Sequence, residues 1–122
     1  MSKLARLCSL EMRPTTRTQR AELVRAARRF VDRHLGDRDL CLALVAHELH
    51  VSTRHLQRAY ASEGTGFKAD LLDRRMSRAR DLLERGDSAR RVAANVGYGS
   101  GAALAKAFRR RFGVVPHMVH PE

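Results

Sequence analysis

Two stretches of this sequence have one pattern in common: VAHELHVSTRHLQRAYASEG at residues 45–64 and VAANVGYGSGAALAKAFRRRFG at residues 92–113. Each starts with Val-Ala and passes through a turn to a serine that can cap a following helix, Ser52 or Ser100. After that serine, a leucine follows at four residues, a basic residue at six and an aromatic residue at eight, and a glycine closes both stretches. The repeat predicts two copies of one unit: a helix, a tight turn and a second helix.

A helix-turn-helix unit can place its second helix in the major groove of DNA. For a single unit, plain packing of short helices is the more common explanation. The charge of the whole chain favours nucleic acid, because 24 Lys+Arg against 13 Asp+Glu give a net charge of +11 and a pI of about 11.3. Such a charge favours polyanions, which include DNA, RNA and an anionic membrane surface. Two units in tandem on a basic chain favour DNA.

Apolar residues at helical spacing predict two longer helices outside the repeat. One runs from Thr18, which we expect to cap it, to about Leu35, and the other is FKADLLDRRMSRARDLLER at residues 67–85. The second helix is expected to bury one apolar stripe and to carry ion pairs along its surface, such as Asp70–Arg74. The stripe comprises Leu72, Met76, Ala79 and Leu83. No strand-like alternation occurs, so the predicted fold class is all-α.

The chain is predicted to have four segments. Residues 1–17 form a flexible arm or the remnant of a linker, residues 18–66 a first helix-turn-helix subdomain, residues 67–85 a linker helix, and residues 86–122 a second subdomain with a tail. A linker helix of about 20 residues spans about 30 Å. Successive major grooves on one face of B-DNA are about 34 Å apart. This length permits both recognition helices to contact one duplex.

Three motifs resemble those of a known family: VSTRHLQRAY, EGTGF and FRRRFGVVP. Over about residues 20–118, the sequence is similar to the DNA-binding domain of the AraC/XylS transcription regulators. The resemblance implies about seven helices, with two homeodomain-like helix-turn-helix subdomains joined by a long linker helix. It also implies sequence-specific binding to double-stranded DNA at promoters, with RNA polymerase as a candidate protein partner.

The resemblance places base-reading residues at Arg54, Gln57 and Arg58 in the first recognition helix. The chemistry agrees, because arginine can bridge guanine O6 and N7, and glutamine can bridge adenine N6 and N7. Thr53 and His55 flank these residues and are expected to hold phosphates. Two alternatives remain open for the arginines: a solvated helix face, or for Arg58 an ion pair with Glu63 or another nearby acid.

The second recognition helix departs from the family pattern, which has polar groups on its reading face. Here that face comprises Gly101, Ala102, Ala103, Ala105 and Lys106. Alanine can touch a thymine methyl group but cannot bridge base edges. Our hypothesis is that this unit mainly contacts the DNA backbone, through Lys106, Arg109, Arg110 and the helix N-terminus at Ser100. His50 is a second departure, because glycine is common at that turn position, and we expect a positive φ there.

Other functions are less well supported by the sequence. A helical protein-interaction module with weak, non-specific nucleic-acid binding is the main alternative. An enzyme, a metal site or a cofactor is not predicted, because His47 and His50 of the HELH motif lack further ligands and no catalytic constellation or phosphate-binding loop is present. Cys8 and Cys41 form no disulfide framework.

Location and completeness are further expectations. The sequence shows neither a signal peptide nor an apolar run long enough to cross a membrane, so we expect a cytoplasmic, nucleoid-associated protein without membrane contact. The family usually carries a separate effector-sensing or dimerising domain, and 122 residues leave no room for one. A stand-alone regulator and the C-terminal piece of a longer product both remain open.

Overall fold

The computed structural model describes residues 16–116, which form six α-helices and contain no β-strand. The helices are α1 (Arg17–Arg33), α2 (Leu42–Glu48), α3 (Thr53–Ser62), α4 (Phe67–Glu84), α5 (Ala89–Asn95) and α6 (Gly101–Phe112). The all-α prediction is confirmed, with six helices in this part of the chain instead of about seven. Residues 1–15 of the predicted arm, and the tail beyond Pro116, lie outside the described residues.

Helix α1 begins earlier than predicted. Thr16, not Thr18, is its N-cap: the Thr16 hydroxyl accepts a hydrogen bond from Gln19 N–H at 3.1 Å, and the Gln19 side chain accepts one from Thr16 N–H at 2.9 Å. This reciprocal capping box needs Glu or Gln three residues after the cap, and Thr16 has Gln19 at that position. Residues 16 and 17, assigned to the arm from the sequence, therefore belong to the start of α1.

The buried side chains form two separate clusters. The first core lies between α1, α2, α3 and the start of α4, and includes Val24, Val45, Leu56 and Tyr60. The second core lies between the rest of α4, α5 and α6, and includes Val92, Leu104 and Phe108. Each helix-turn-helix unit is thus packed on its own apolar core, and α4 contributes to both.

The apolar stripe of α4 is not continuous, so the predicted stripe is wrong at one position. Leu71, not Leu72, is buried in the first core, and Leu72 is 40% exposed. From Leu71 to Met76 the helix turns through about 140°, because each residue advances it by about 100°. The two halves of α4 therefore bury different faces against different cores. Met76, Ala79 and Leu83 are buried as predicted.

Asp70 and Arg74 of α4 pair with residues of α1, not with each other. Arg28 binds both carboxylate oxygens of Asp70, at 3.0 and 2.8 Å, and Arg74 binds both oxygens of Asp32, at 2.7 and 2.8 Å. The predicted Asp70–Arg74 pair along the helix is therefore wrong. Asp70 is only 7% exposed, and a buried carboxylate is stabilised best by a partner that supplies two parallel hydrogen bonds. Both pairs fix α1 against α4.

We expect Asp70→Ala to lower the free energy of unfolding by about 2 kcal/mol, because the partly buried Arg28 would lose its partner. Asp73→Ala is the matched control, since Asp73 lies on the same helix and forms an exposed pair with Arg111. That control should change stability by less than about 0.5 kcal/mol. Urea unfolding followed by circular dichroism measures both values. Equal losses in the two variants would show that the Arg28–Asp70 pair has no special role.

Candidate nucleic-acid interface

The first recognition helix, α3, begins at a well-formed cap. The Ser52 hydroxyl accepts a hydrogen bond from His55 N–H at 3.0 Å, as the sequence predicts. Leu56, Ala59 and Tyr60 then anchor the inner face of α3 in the first core. The preceding helix α2 starts at Cys41 without a side-chain cap.

The turn between α2 and α3 depends on one residue with a left-handed backbone. His50 has φ of 59° and is the one non-glycine residue with positive φ among residues 16–116. Val51 N–H then donates to Ala46 C=O at 3.0 Å, which closes the turn. The equivalent residue of the second unit is Gly97, with φ of 85°. The expected positive φ at His50 is confirmed, and the repeat extends to the backbone of the turn.

The outer face of α3 presents polar side chains to solvent. Thr53, Arg54, Gln57 and Arg58 are exposed, and His55 is partly exposed. Arg54, Gln57 and Arg58 have the i, i+3, i+4 spacing of one helix face. The ion pairs in the described part of the chain involve neither Arg54 nor Arg58, so the structure does not support the alternative of an Arg58–Glu63 pair.

The second recognition helix, α6, has the same construction with a different outer face. The Ser100 hydroxyl accepts from Ala103 N–H at 3.1 Å, and Leu104 and Phe108 are buried. Gly113, with φ of 78°, ends the helix. The predicted site residues on α6 are solvent-facing: Ala102, Ala103, Lys106, Arg109 and Arg110, with Gly101 and Ala105 partly exposed. This face carries positive charge toward its C-terminal end and small apolar groups near its start.

The three consecutive arginines at the end of α6 have different surroundings. Arg111 donates to the Asp73 carboxylate at 3.0 Å and lies over the Phe112 ring, with 5.1 Å between the guanidinium carbon and the ring centroid. Arg109 and Arg110 are exposed and take part in no ion pair within residues 16–116. Arg111 therefore ties α6 to α4, and its two neighbours are available to an external anion.

The described residues offer neither a metal site nor a membrane-spanning helix. Within residues 16–116, no group of three or more His, Cys, Asp or Glu side chains could hold a metal ion. His47 and His50 are both exposed at the turn. None of the six described helices has the length and apolar character needed to cross a bilayer.

Arg75 could not be singled out from the sequence. It is one of four arginines in α4, and periodicity does not distinguish it from Arg74 or Arg78. In the structure its guanidinium donates to the backbone carbonyl of Asp37 at 2.8 Å, beyond the end of α1. Arg75 and Asp37 are 38 positions apart, so their contact is visible only in the folded structure.

Two capped recognition helices on separate cores, joined by one long helix, define a tandem helix-turn-helix domain. A family model described as a helix-turn-helix domain matches residues 45–120. The chain belongs to the AraC-type helix-turn-helix family of transcription regulators. The family resemblance seen in the sequence is thereby confirmed.

Individual relatives agree with this assignment. The chain is 34% identical over 110 residues to the regulatory protein PocR of Salmonella typhimurium, a match that covers 87% of this chain and 36% of PocR. The chain therefore spans about a third of that relative's length.

Solved structures show the same fold. The C-terminal domain of AraT, a response regulator from Geobacillus stearothermophilus, superposes with a TM-score of 0.73 at 32% identity, over 80% of this chain and 82% of that one. The DNA-binding domain of AdpA, solved in complex with a target DNA, superposes with a TM-score of 0.68 at 30% identity, over 81% and 86% of the two chains.

We expect His50→Gly to raise the free energy of unfolding by about 0.5–1 kcal/mol. A left-handed conformation costs a non-glycine residue about 1–2 kcal/mol, and the greater chain entropy of glycine offsets about 0.5–1 kcal/mol of that gain. His47→Gly is the control, because His47 lies within α2, where glycine costs about 1 kcal/mol. Urea unfolding should show opposite signs for the two variants. A loss of stability in both would contradict the assigned strain.

Proposed function

We propose that this chain is the DNA-binding part of a transcription regulator, in which α3 reads bases in one major groove and α6 contacts the backbone at the next. The observation that carries the proposal is the exposed Arg54, Gln57 and Arg58 face of α3, held outward by Leu56, Ala59 and Tyr60 in the core. The AdpA domain, with a similar fold, was solved with DNA, which supports the same use of this one.

The α3 face has the chemistry of base recognition. Arg54 and Arg58 can each donate two hydrogen bonds to guanine O6 and N7, and Gln57 can both donate to and accept from adenine. Thr53 and His55 lie beside them in the first turn of α3 and contact phosphates in our proposal. Since each bidentate contact discriminates by about 1–3 kcal/mol, three such contacts suffice for a short preferred sequence.

The α6 face has the chemistry of backbone contact. Ala102 and Ala103 offer only methyl groups near the start of the helix, so they cannot bridge base edges. Lys106, Arg109 and Arg110 carry three positive charges along the exposed face. The helix N-terminus at Ser100 and Gly101 adds backbone N–H groups that favour a phosphate. In our proposal α6 therefore adds affinity and fixes orientation, with little choice of sequence.

The length of α4 is compatible with contact at two successive grooves. Its 18 residues span about 27 Å, compared with about 34 Å between successive major grooves. We also propose the functional division suggested by the sequence, with its start corrected to the cap of α1: residues 16–66 as the first unit, 67–85 as the linker helix and 86–122 as the second unit. A cytoplasmic, nucleoid-associated location and contact with RNA polymerase are further parts of the proposal, and no enzymatic role is included.

Selection from a random duplex library tests the proposal directly. The wild-type chain should enrich one short sequence, with most of the information in the half contacted by α3. Enrichment that fades steeply with salt yet keeps its sequence preference would support DNA reading. Equal information in two half-sites would reject the assigned role of α6. Retention of unrelated duplexes as strongly as the enriched one would favour the protein-interaction alternative.

Arg58→Ala should weaken binding to the selected duplex by about 1–3 kcal/mol and relax the choice at one base pair. Competition between the selected duplex and its single-base variants measures both effects. Arg78→Ala is the matched control, because Arg78 is exposed on α4 beside the carboxylates of Asp73 and Asp81, where DNA is not expected. If the Arg58→Ala variant binds with wild-type affinity, Arg58 does not contact the DNA.

Arg109→Ala should weaken binding to all duplexes alike. It should also reduce the slope of log affinity against log salt concentration by about one, since one counterion fewer is released. The slope of log affinity against log salt concentration, measured on a selected and an unrelated duplex, gives this value. Arg111→Ala is the neighbouring control, since Arg111 is paired with Asp73. A loss of affinity confined to the selected duplex would show that Arg109 reads a base.

A further inference from the structure

The two helix-turn-helix units meet at a small contact that we call the inter-unit joint. It comprises residues 35–38, which follow α1, Arg75 in the middle of α4, and residues 97–99 in the turn between α5 and α6. The joint lies where the first core ends, at Leu35 and Leu40, and the second begins, at Val96. At this joint the backbone of one unit lies directly against that of the other.

Arg75 lies between the two backbone segments of the joint. Its Nη2 donates to the carbonyl oxygen of Asp37 at 2.8 Å, on the side of the first unit. On the other side, a Cβ atom added to Gly97 would lie 2.8 Å from the same nitrogen and 2.6 Å from the carbonyl oxygen of Leu35. Since real side chains essentially never approach so closely, the contact requires glycine at this position.

Two further close approaches occur at or beside the same joint. A Cβ atom on Gly99 would lie 2.7 Å from Nη1 of Arg38, and one on Gly36 would lie 3.3 Å from the carbonyl oxygen of Asn95. Glycines on both sides of the joint therefore allow backbone and guanidinium groups to pack directly against each other.

The environment of Arg75 differs from that of the other paired arginines. Arg28 and Arg74 each have a carboxylate partner, whereas Arg75 forms no ion pair in the described part of the chain. Its Nε is buried without a hydrogen-bond partner, and burial lowers the pKa of its guanidinium. Placing an unpaired charge in such a position is costly, so the side chain is held there by its contacts with the joint.

We propose that Arg75 is a positioning residue: it fixes the turn before α6 against the turn after α1, so that both recognition helices meet one duplex as a rigid body. This inference rests on the proposed function. Arg75 lies close in structure to the start of α6, because the Gly97 that it contacts is three residues before Ser100, the N-cap of α6. A shift at Arg75 is therefore transmitted directly to the start of the helix that contacts the backbone.

Rigid coupling has a measurable consequence for affinity. When two linked units bind one duplex, the second binding event is intramolecular, and its benefit is lost if the geometry is wrong or loose. Loosening the joint should therefore leave base reading by α3 intact and remove the contribution of α6. A general loss of stability would instead weaken the DNA contacts of α3 and α6 alike.

The test uses the full wild-type chain and a duplex selected as above, in which single phosphates are replaced by neutral methylphosphonates, one position at a time. Wild type should show two clusters of sensitive phosphates about 10 base pairs apart, with an affinity loss of about fivefold or more at each sensitive position. Arg75→Met should keep the first cluster and reduce losses in the second to about twofold or less. Arg75→Lys, which retains a donor for Asp37, should restore the second cluster in part.

Matched controls separate the joint from charge and from backbone strain. Arg78→Met removes the same charge one turn further along α4 and should keep both clusters. Gly97→Ala should lose the second cluster, whereas Gly86→Ala should keep it. Gly86 has φ of 98°, similar to Gly97, but no atom within 4 Å of an added Cβ. Urea unfolding of each variant confirms that the compared chains are folded.

The outcomes distinguish this inference from the proposed function. Two unchanged clusters in Arg75→Met and Gly97→Ala would overturn the positioning role, as would loss of the second cluster in the Arg78 or Gly86 control. A single cluster in the wild-type chain would also overturn it, while leaving base reading by α3 intact. A wild-type chain without any sensitive phosphate would overturn the proposed function itself.

Discussion

The central constraint on this structure is that one helix, α4, must bury apolar side chains in two separate cores. Phe67 and Leu71 enter the first core, and Met76, Ala79 and Leu83 enter the second. Because these two groups lie on different faces of α4, the two units cannot rotate freely about it. The Arg28–Asp70 and Arg74–Asp32 pairs add polar contacts that fix α1 on the same helix. The orientation of both recognition helices follows from this packing.

Local features of the fold could be predicted from the sequence alone. The serine caps Ser52 and Ser100 and the positive φ of His50 depend on residues close in sequence, and all three are confirmed. The exposure of Arg54, Gln57 and Arg58 could be predicted as well, because their spacing places them opposite Leu56 and Tyr60. Their roles toward DNA stay predictions.

Features that depend on contacts distant in sequence were missed. Leu72 was expected in the core because periodicity treats a helix as having one buried face, whereas α4 has two. The partners of Asp70 and Arg74 lie 42 residues away on α1. The i, i+4 spacing along α4 predicts a pair between Asp70 and Arg74 instead, because it considers one helix alone. Arg75 and Gly97 contact each other only because the two units meet in the folded chain. Tertiary packing, not local propensity, decided each of these cases.

The most direct test of the account is an amide chemical-shift map of the chain titrated with its selected duplex. We predict that the largest shifts occur for residues 52–58 and 100–110, with small shifts on the acidic side of α4 around Asp73 and Asp81. Saturating shifts in both recognition helices at one equivalent of duplex would show that a single chain contacts the DNA at two places. The largest shifts on the acidic side of α4, with residues 52–58 unaffected, would contradict the account.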